Sequence, residues 1–276
     1  MTNSLSGVFA AVLTRLGADG VPDPSATARH CRWLLEHGCN GLSVLGTTGE
    51  ANSFSVDERL ALLDGLAEAG IPGDTLMPGV GYCALPDTIT LARRAVEHGA
   101  GSVLMLPPFY YKNVGDDGLF AAFSEVIEAV GDTRLRVYLY HFPQMSGVPL
   151  PASLIERLLA RYPGTVAGMK DSSGELDNMV TVVKAFPGFG VFSGSDELFW
   201  PLLQAGGAGC ITAVSNIAAP LAHKVWTAHG RGDTNAADLA HNELSAVRGA
   251  ESGHGSRQRR RRLAAHPPAA RAALRG

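Results

Sequence analysis

Eight short apolar runs, each followed by a segment of helical periodicity, set the tightest limit on what this chain can fold into. The runs lie near residues 7–13, 41–45, 75–80, 101–106, 135–140, 165–170, 189–193 and 208–213. Strands that alternate with helices pair in parallel and are covered on both faces, so they read as nearly unbroken apolar stretches. The segments between them carry helix signals. Residues 25–37 place Trp33, Leu34 and Leu35 on an apolar stripe, and Ser55-Val56-Asp57-Glu58 is a capping box opening a helix that runs to Glu68. Segments 85–98, 116–130, 151–162, 175–186 and 196–205 repeat the pattern, several of them closing at glycine. Both an open doubly wound sheet and a closed barrel are built from such α/β units. A count of eight favours the barrel, and the turn after the first run, Thr14-Arg15-Leu16-Gly17-Ala18-Asp19-Gly20, lacks the G-x-G-x-x-G of a dinucleotide fold. The expected organisation is a (β/α)8 TIM barrel over 1–215 and a short C-terminal helical extension over 216–248, containing a helix at 233–247. A disordered Arg/Ala/Pro-rich tail is expected over 249–276.

With 276 residues, 46% of them hydrophobic and 18% charged, the chain can bury the core of one large barrel. Its formal charge of -3 conceals an asymmetry: seven of the 23 basic and one of the 26 acidic residues fall within 251–276, leaving 16 basic and 25 acidic residues in the body. A nucleic-acid reader shows a basic face with interleaved aromatics. The body has none, so no nucleic-acid partner is expected even though the tail is basic. Cys31, Cys39, Cys83 and Cys210 form no C-x-x-C pair and are read as reduced thiols. No charged leader and no 18-residue apolar run occur, so the expectation is a cytoplasmic protein without a membrane partner.

In a barrel the chemistry sits where the strands end. Those ends read Gly46-Thr47-Thr48-Gly49-Glu50 after the second run, Pro107-Pro108-Phe109-Tyr110-Tyr111 after the fourth, Tyr140 closing the fifth and Lys170 closing the sixth. Lys170 is one of four lysines, and Lys112, Lys184 and Lys224 fall in a polar loop or in helix-like stretches. A lysine amine has an ordinary pKa of about 10.4. Desolvated by apolar walls such as Met169, it becomes a neutral nucleophile that attacks a ketone to form an imine. A solvated strand-end lysine is the alternative. Tyr140 follows Arg136-Val137-Tyr138-Leu139 and can shuttle protons to a carbinolamine, or be a core tyrosine with a satisfied hydroxyl. The Gly46–Gly49 turn offers N–H groups and two hydroxyls to a carboxylate, with Glu50 capping or bracing the next segment. Metal-stabilised enolate chemistry is the rival route, but His141 is the only histidine near a strand end and has no companion ligand; His30, His37 and His98 read as helix-surface or helix-end residues. No metal or other cofactor is expected.

Four motifs in order, Gly46-Thr47-Thr48-Gly49-Glu50, Tyr140-His141-Phe142-Pro143, Gly168-Met169-Lys170-Asp171-Ser172-Ser173-Gly174 and Gly194-Ser195-Asp196-Glu197, make residues 5 to 248 resemble the dihydrodipicolinate synthase and N-acetylneuraminate lyase family. The resemblance implies that Lys170 forms an imine with pyruvate or another 2-oxo acid and that Tyr140 relays protons. It implies that Thr47 links to Tyr140 and holds the substrate carboxylate with Thr48, Gly46 and Gly49, and that Gly194 and Ile211 line the substrate. Tyr111 matches a tyrosine offered across a subunit interface, with the Tyr110-Tyr111 pair leaving the register open by one. A homo-oligomer, dimer or tetramer, is implied as well. Two departures bear on the substrate. Synthases of the family usually carry an arginine five residues after the relay tyrosine for a second carboxylate, and here that position is Met145. Met145-Ser146-Gly147-Val148 looks more like the sugar-acid lyases, and Asp196-Glu197 matches their hydroxyl-binding acidic pair. The expected activity is class I aldol cleavage or condensation between a 2-oxo acid and an aldehyde, of sugar-acid type. The alternatives are 4-hydroxy-tetrahydrodipicolinate synthase, a dehydratase of the same family, or a non-catalytic 2-oxo acid-binding regulatory protein. Family members finish with packed helices after the barrel, and 249–276 does not read as such helices.

Overall fold

Every strand in the computed structural model, which describes residues 5–248, is parallel to its neighbours. The strands are β1 (Gly7–Ala11), β2 (Gly41–Ser43), β3 (Ser102–Met105), β4 (Arg136–His141), β5 (Val166–Asp171), β6 (Gly190–Ser193) and β7 (Gly209–Thr212). They neighbour one another in the order β2-β1-β7-β6-β5-β4-β3. The expected strand at 75–80 is the one correction to this ring. It bridges β2 and β3 without forming a full ladder: Met77 N–H donates to the Leu42 carbonyl (2.9 Å) and Gly79 N–H to Val44 (2.8 Å), while Val80 N–H donates to Leu104 (3.0 Å) and Leu104 N–H to Pro78 (2.8 Å). Pro78 has no N–H to give, so regular pairing breaks there. The result is a seven-stranded, nearly closed barrel whose eighth place is taken by this segment.

Helices α1 (Pro24–Glu36), α2 (Val56–Glu68), α3 (Leu85–Glu97), α4 (Asp116–Val130), α5 (Pro143–Ser146), α6 (Ala152–Arg161), α7 (Leu176–Ala185), α8 (Phe199–Gln204) and α9 (Ser215–Gly230) follow the strands. A further helix, α10, spans 234–248. Side chains set the starts of α1 and α2. Asp23 accepts from the Ala26 N–H (2.8 Å) ahead of α1, and the Ser55/Glu58 capping box opens α2. The helix expected from 196 begins only at Phe199, because Ser193 Oγ donates to the Ser195 carbonyl (2.7 Å) and accepts from its N–H (3.1 Å), holding the preceding residues in a turn. The four-residue α5 has no counterpart in the sequence pattern. Helix α9 packs against β1, β7 and α1, and its Asn216 accepts from Leu13 N–H (3.1 Å) and donates to the Ala11 carbonyl (2.7 Å), fixing the end of β1. The tail expected over 249–276 lies outside the described residues.

The two-residue period of the strands sorts the core into two compartments. Val8, Ala10, Leu42, Val103, Leu139, Met169 and Val191 face the helices, whereas Phe9, Ala11, Met77, Leu104, Tyr138, Tyr140, Phe192 and Ile211 fill the barrel interior. Phe192 sits edge-on to both Phe9 and Tyr138 (centroids 5.4 and 5.8 Å apart), and Tyr138 takes the Leu5 N–H at its hydroxyl (2.9 Å). All four cysteines are free, and burial pushes the Cys31 and Cys39 thiols up to about 12. No described helix is long and apolar enough to cross a membrane.

Candidate active site

The pairing of β4 with β5 places the candidate nucleophile. After a register shift between Val137 and Tyr138, the partners run Tyr138 with Gly168, Leu139 with Met169, Tyr140 with Lys170 and His141 with Asp171. Leu139 and Met169 go to the helix side, so Tyr140 and Lys170 share the inside of the barrel. Gly168 makes this layer possible: a Cβ there would lie 2.4 Å from the Tyr138 ring and 2.3 Å from the Gly190 carbonyl oxygen. Lys170 is 5% exposed, its Nζ is 4.6 Å from the centroid of the Tyr140 ring, and Phe192 is its neighbour on β6. This is cation–π distance for the ammonium and contact distance for the amine.

Tyr140 carries the link to the second strand end. Its hydroxyl is 3.3 Å from Thr47 Oγ1, with either oxygen able to donate. Burial alone raises the pKa of this phenol, but the charge of Lys170 and hydrogen bonds involving Thr47, Ser172 and Lys170 outweigh it and hold the group below its ordinary value. Ser172 has no role assigned by sequence pattern; its signal was only its place in the motif after Lys170. Thr47 sits in a turn bounded by two left-handed residues, Leu45 (φ 56°) and Glu50 (φ 54°). Thr14 Oγ1 donates to the Gly49 carbonyl (2.7 Å), and a Cβ on Gly49 would come 2.9 Å from the Val12 carbonyl oxygen, so the turn is pressed onto the end of β1. Over Gly46 the reverse holds: nothing lies within 4 Å of where a Cβ would be, and Thr48 beside it is half-buried.

The remaining candidates divide. Gly194 donates to the Asp171 carbonyl (2.7 Å), and a Cβ on it would lie 2.0 Å from Ser172 Oγ, so it backs the Lys170 loop directly. Ile211 is fully buried inside the barrel. Asp196 is also fully buried and meets Arg248 Nη1 at 3.4 Å, with its Oδ1 unpartnered; burial raises its pKa against the opposing pull of Thr212 and Arg248. Glu197 is exposed, 4.0 Å from Arg248 Nε. Met145 lies on α5, more than half exposed, where Lys112 donates to the Ser146 carbonyl (2.6 Å) and to that of Phe109. Tyr110 and Tyr111 are 73% and 76% exposed and stack edge to face at 5.1 Å, without contacting Tyr140 of the same chain. His141 faces away from the mouth with Asp171: its Nδ1 accepts from Leu150 N–H (3.1 Å), and burial lowers its pKa against the Asp171 charge. Asp171 in turn accepts from Ser173 N–H (2.7 Å) and Asn178 Nδ2 (2.6 Å), which pins the loop after Lys170.

The family model described as the dihydrodipicolinate synthetase family matches residues 4–250. An uncharacterised DapA-like lyase of Chloroflexus aurantiacus is 38% identical over 88% of this chain and 80% of its own length. The 4-hydroxy-tetrahydrodipicolinate synthase of Mycolicibacterium paratuberculosis is 35% identical over 83% of this chain and 74% of its own. Among solved structures, YagE, a prophage protein of E. coli K12 in complex with pyruvate, superposes with a TM-score of 0.80 at 28% identity, over 88% of this chain and 81% of that one.

Proposed function

The chain belongs to the dihydrodipicolinate synthetase family, and from that membership and the shape of the mouth we propose that it forms a Schiff base between Lys170 and pyruvate or a related 2-oxo acid. The observation that carries the proposal is the chain of contacts from Lys170 Nζ, 4.6 Å from the Tyr140 ring, through the Tyr140 hydroxyl to Thr47 Oγ1 at 3.3 Å. The neutral amine adds to the C2 carbonyl carbon, and Tyr140 supplies the proton that the carbinolamine oxygen needs. Loss of that oxygen as water gives the iminium. The Tyr140 phenolate left by that step takes a C3 proton to give an enamine, which adds to the carbonyl carbon of an aldehyde while Tyr140 returns the proton to the new alkoxide; the reverse path cleaves the same C–C bond. Water releases the product and returns the amine. The substrate carboxylate is held by the Thr47 and Thr48 hydroxyls, with Gly46 and Gly49 allowing the backbone to approach. Tyr111, exposed on its own chain, serves the mouth of a second copy.

Met145 supports a distal substrate without a second carboxylate at that point, because a thioether offers no charge-assisted bond. This favours a sugar-acid type of aldehyde. Asp196 is fully buried whereas Glu197, 4.0 Å from the same Arg248, is exposed, so hydroxyl recognition falls to Glu197. The synthase reading is favoured by the activity for which the Mycolicibacterium relative is named. Borohydride reduction in the presence of pyruvate, followed by peptide mass analysis, tests the first step. An adduct on Lys170 is expected, and folded protein that gains no adduct would sink the imine mechanism. A panel of 2-oxo sugar acids set against aspartate semialdehyde tests the second substrate: dominant activity with the semialdehyde overturns the interpretation of Met145.

A further inference from the structure

Arg59 is the largest fully buried side chain among the described residues, and the proposed chemistry does not use it. It lies in the first turns of α2. Its Nε donates to the Ala51 carbonyl (2.9 Å), Nη2 donates to Asn52 Oδ1 (3.0 Å), and the guanidinium carbon stands 4.7 Å over the Tyr82 ring. Nη1 has no hydrogen-bond partner, and no carboxylate among the described residues comes within 4.0 Å in an ion pair. Asp87 acts on it only through space, and Glu50, beside Ala51, is solvent-exposed. A buried cation without a counter-ion costs several kcal/mol of desolvation, about what a buried ion pair is needed to offset.

The groups that Arg59 does touch belong to the mouth. Ala51 N–H donates to the Gly46 carbonyl (3.3 Å) and Glu50 N–H to that of Thr47 (3.1 Å), so the carbonyl gripped by Arg59 is one hydrogen bond away from the start of the Thr47-Thr48 turn. Tyr82 follows the 76–80 bridging segment, the part of the ring that lacks a regular strand. Arg59 thus spans the 51–52 turn and the loop after the bridging segment, and its charge stands behind the turn with no carboxylate among the described residues bonded to it. We propose that Arg59 is a positioning residue that holds the 46–52 turn and lends it the positive potential drawing a substrate carboxylate to Thr47 and Thr48. The inference rests on the 2-oxo acid reading of the site.

The test compares two carbonyl probes of similar shape, pyruvate and its neutral ester methyl pyruvate, by the concentration that half-saturates borohydride labelling of Lys170 in the full chain. A residue that only braces the fold moves both probes alike, whereas a field acts on the anion. Arg59→Met is expected to raise the pyruvate value about tenfold and leave the ester within about twofold, with Arg59→Lys retaining the wild-type value within about threefold. Folded Arg59→Met that leaves pyruvate unchanged, or shifts both probes equally, overturns the proposal. If that variant does not fold, Asn52→Asp decides: it sets a carboxylate against Nη2 on an exposed residue and cancels the charge while keeping the bond. A higher pyruvate value with an unchanged ester value supports the proposal, and no change overturns it. Wild-type protein that labels with neither probe sinks the imine mechanism itself, a result separate from either variant outcome.

Discussion

Tyr140 experiences two opposed influences: burial raises its pKa, while the Lys170 charge and its hydrogen-bond partners lower it, and the net shift is downward. A phenol so held gives up its proton more readily than an ordinary tyrosine, whose pKa is about 10. In a pH titration at 295 nm, the difference between wild type and Tyr140→Phe should show one tyrosinate forming below pH about 10. A depressed folded-state pKa adds stability that is present above the unfolded value and lost as pH falls through the folded one. On the catalytic side, Tyr140→Phe should lower kcat by about 10²–10⁴-fold, the range of a lost proton relay, with slower borohydride labelling still at Lys170. Unchanged turnover would remove Tyr140 from the mechanism. Lys170 was legible in the sequence because lysine is scarce in this chain and a strand end at a barrel mouth is a rare place for it. Ser172 and Arg59 were not, since a serine in a polar loop and an arginine near a helix start look the same whether they face solvent or are fully enclosed. Burial by distant segments gives Arg59 its meaning, and no local pattern encodes it.

Both ends of α4 are legible in the sequence because its acidic first turn and the left-handed Gly131 after it are local signals. The apolar composition of 75–80 signals a strand, but Pro78 within it lacks the donor that a full ladder needs. α8 starts later than its sequence pattern suggests: Asp196 resembles an N-cap, yet it is fully buried and meets Arg248 at the end of α10 instead of capping. Together with the Trp200 Nε1 donation to Asp238 (2.5 Å), that contact fastens α10 to the β6 side of the barrel. Arg248→Ala leaves a fully buried carboxylate without this cation and should cost about 1–3 kcal/mol, below the usual cost of breaking a buried pair because Arg248 is partly solvated. Burial raises the Asp196 pKa, so the stability linked to its proton is fully present below the unfolded carboxylate value of about 3.9 and is lost as pH rises through the folded value. The deficit of Arg248→Ala should therefore be larger at pH 7 than at pH 4. Equal losses of Tm at the two pH values would show that Asp196 is not the group responsible.

For the whole molecule, eight repeats and a large apolar fraction were sufficient to indicate a barrel, because few architectures bury so many parallel strands on both faces. Assembly is written in the sequence only through the resemblance, but the surface bears on it. Tyr110 and Tyr111 are about three-quarters exposed and Met145 is more than half exposed, all on elements that leave the carboxyl ends of β3 and β4. An aromatic pair so exposed beside an active-site mouth fits a surface that is covered in the working protein. If Tyr111 completes the mouth of a second copy, activity depends on association, and mass action must show in the kinetics. Specific activity should fall on dilution along the same concentration curve on which sedimentation velocity reports dissociation. Tyr111→Phe should lower kcat in the associated form, while borohydride labelling of Lys170 persists. Mixing inactive Lys170→Ala with inactive Tyr111→Ala provides the sharper form of the test. A hybrid oligomer carries some sites that combine an intact Lys170 from one copy with an intact Tyr111 from the other, so activity reappears on mixing. A monomer with full turnover, or a mixture that stays inactive after subunit exchange is demonstrated by mass, would confine the catalytic machinery to one chain and leave Tyr111 outside it.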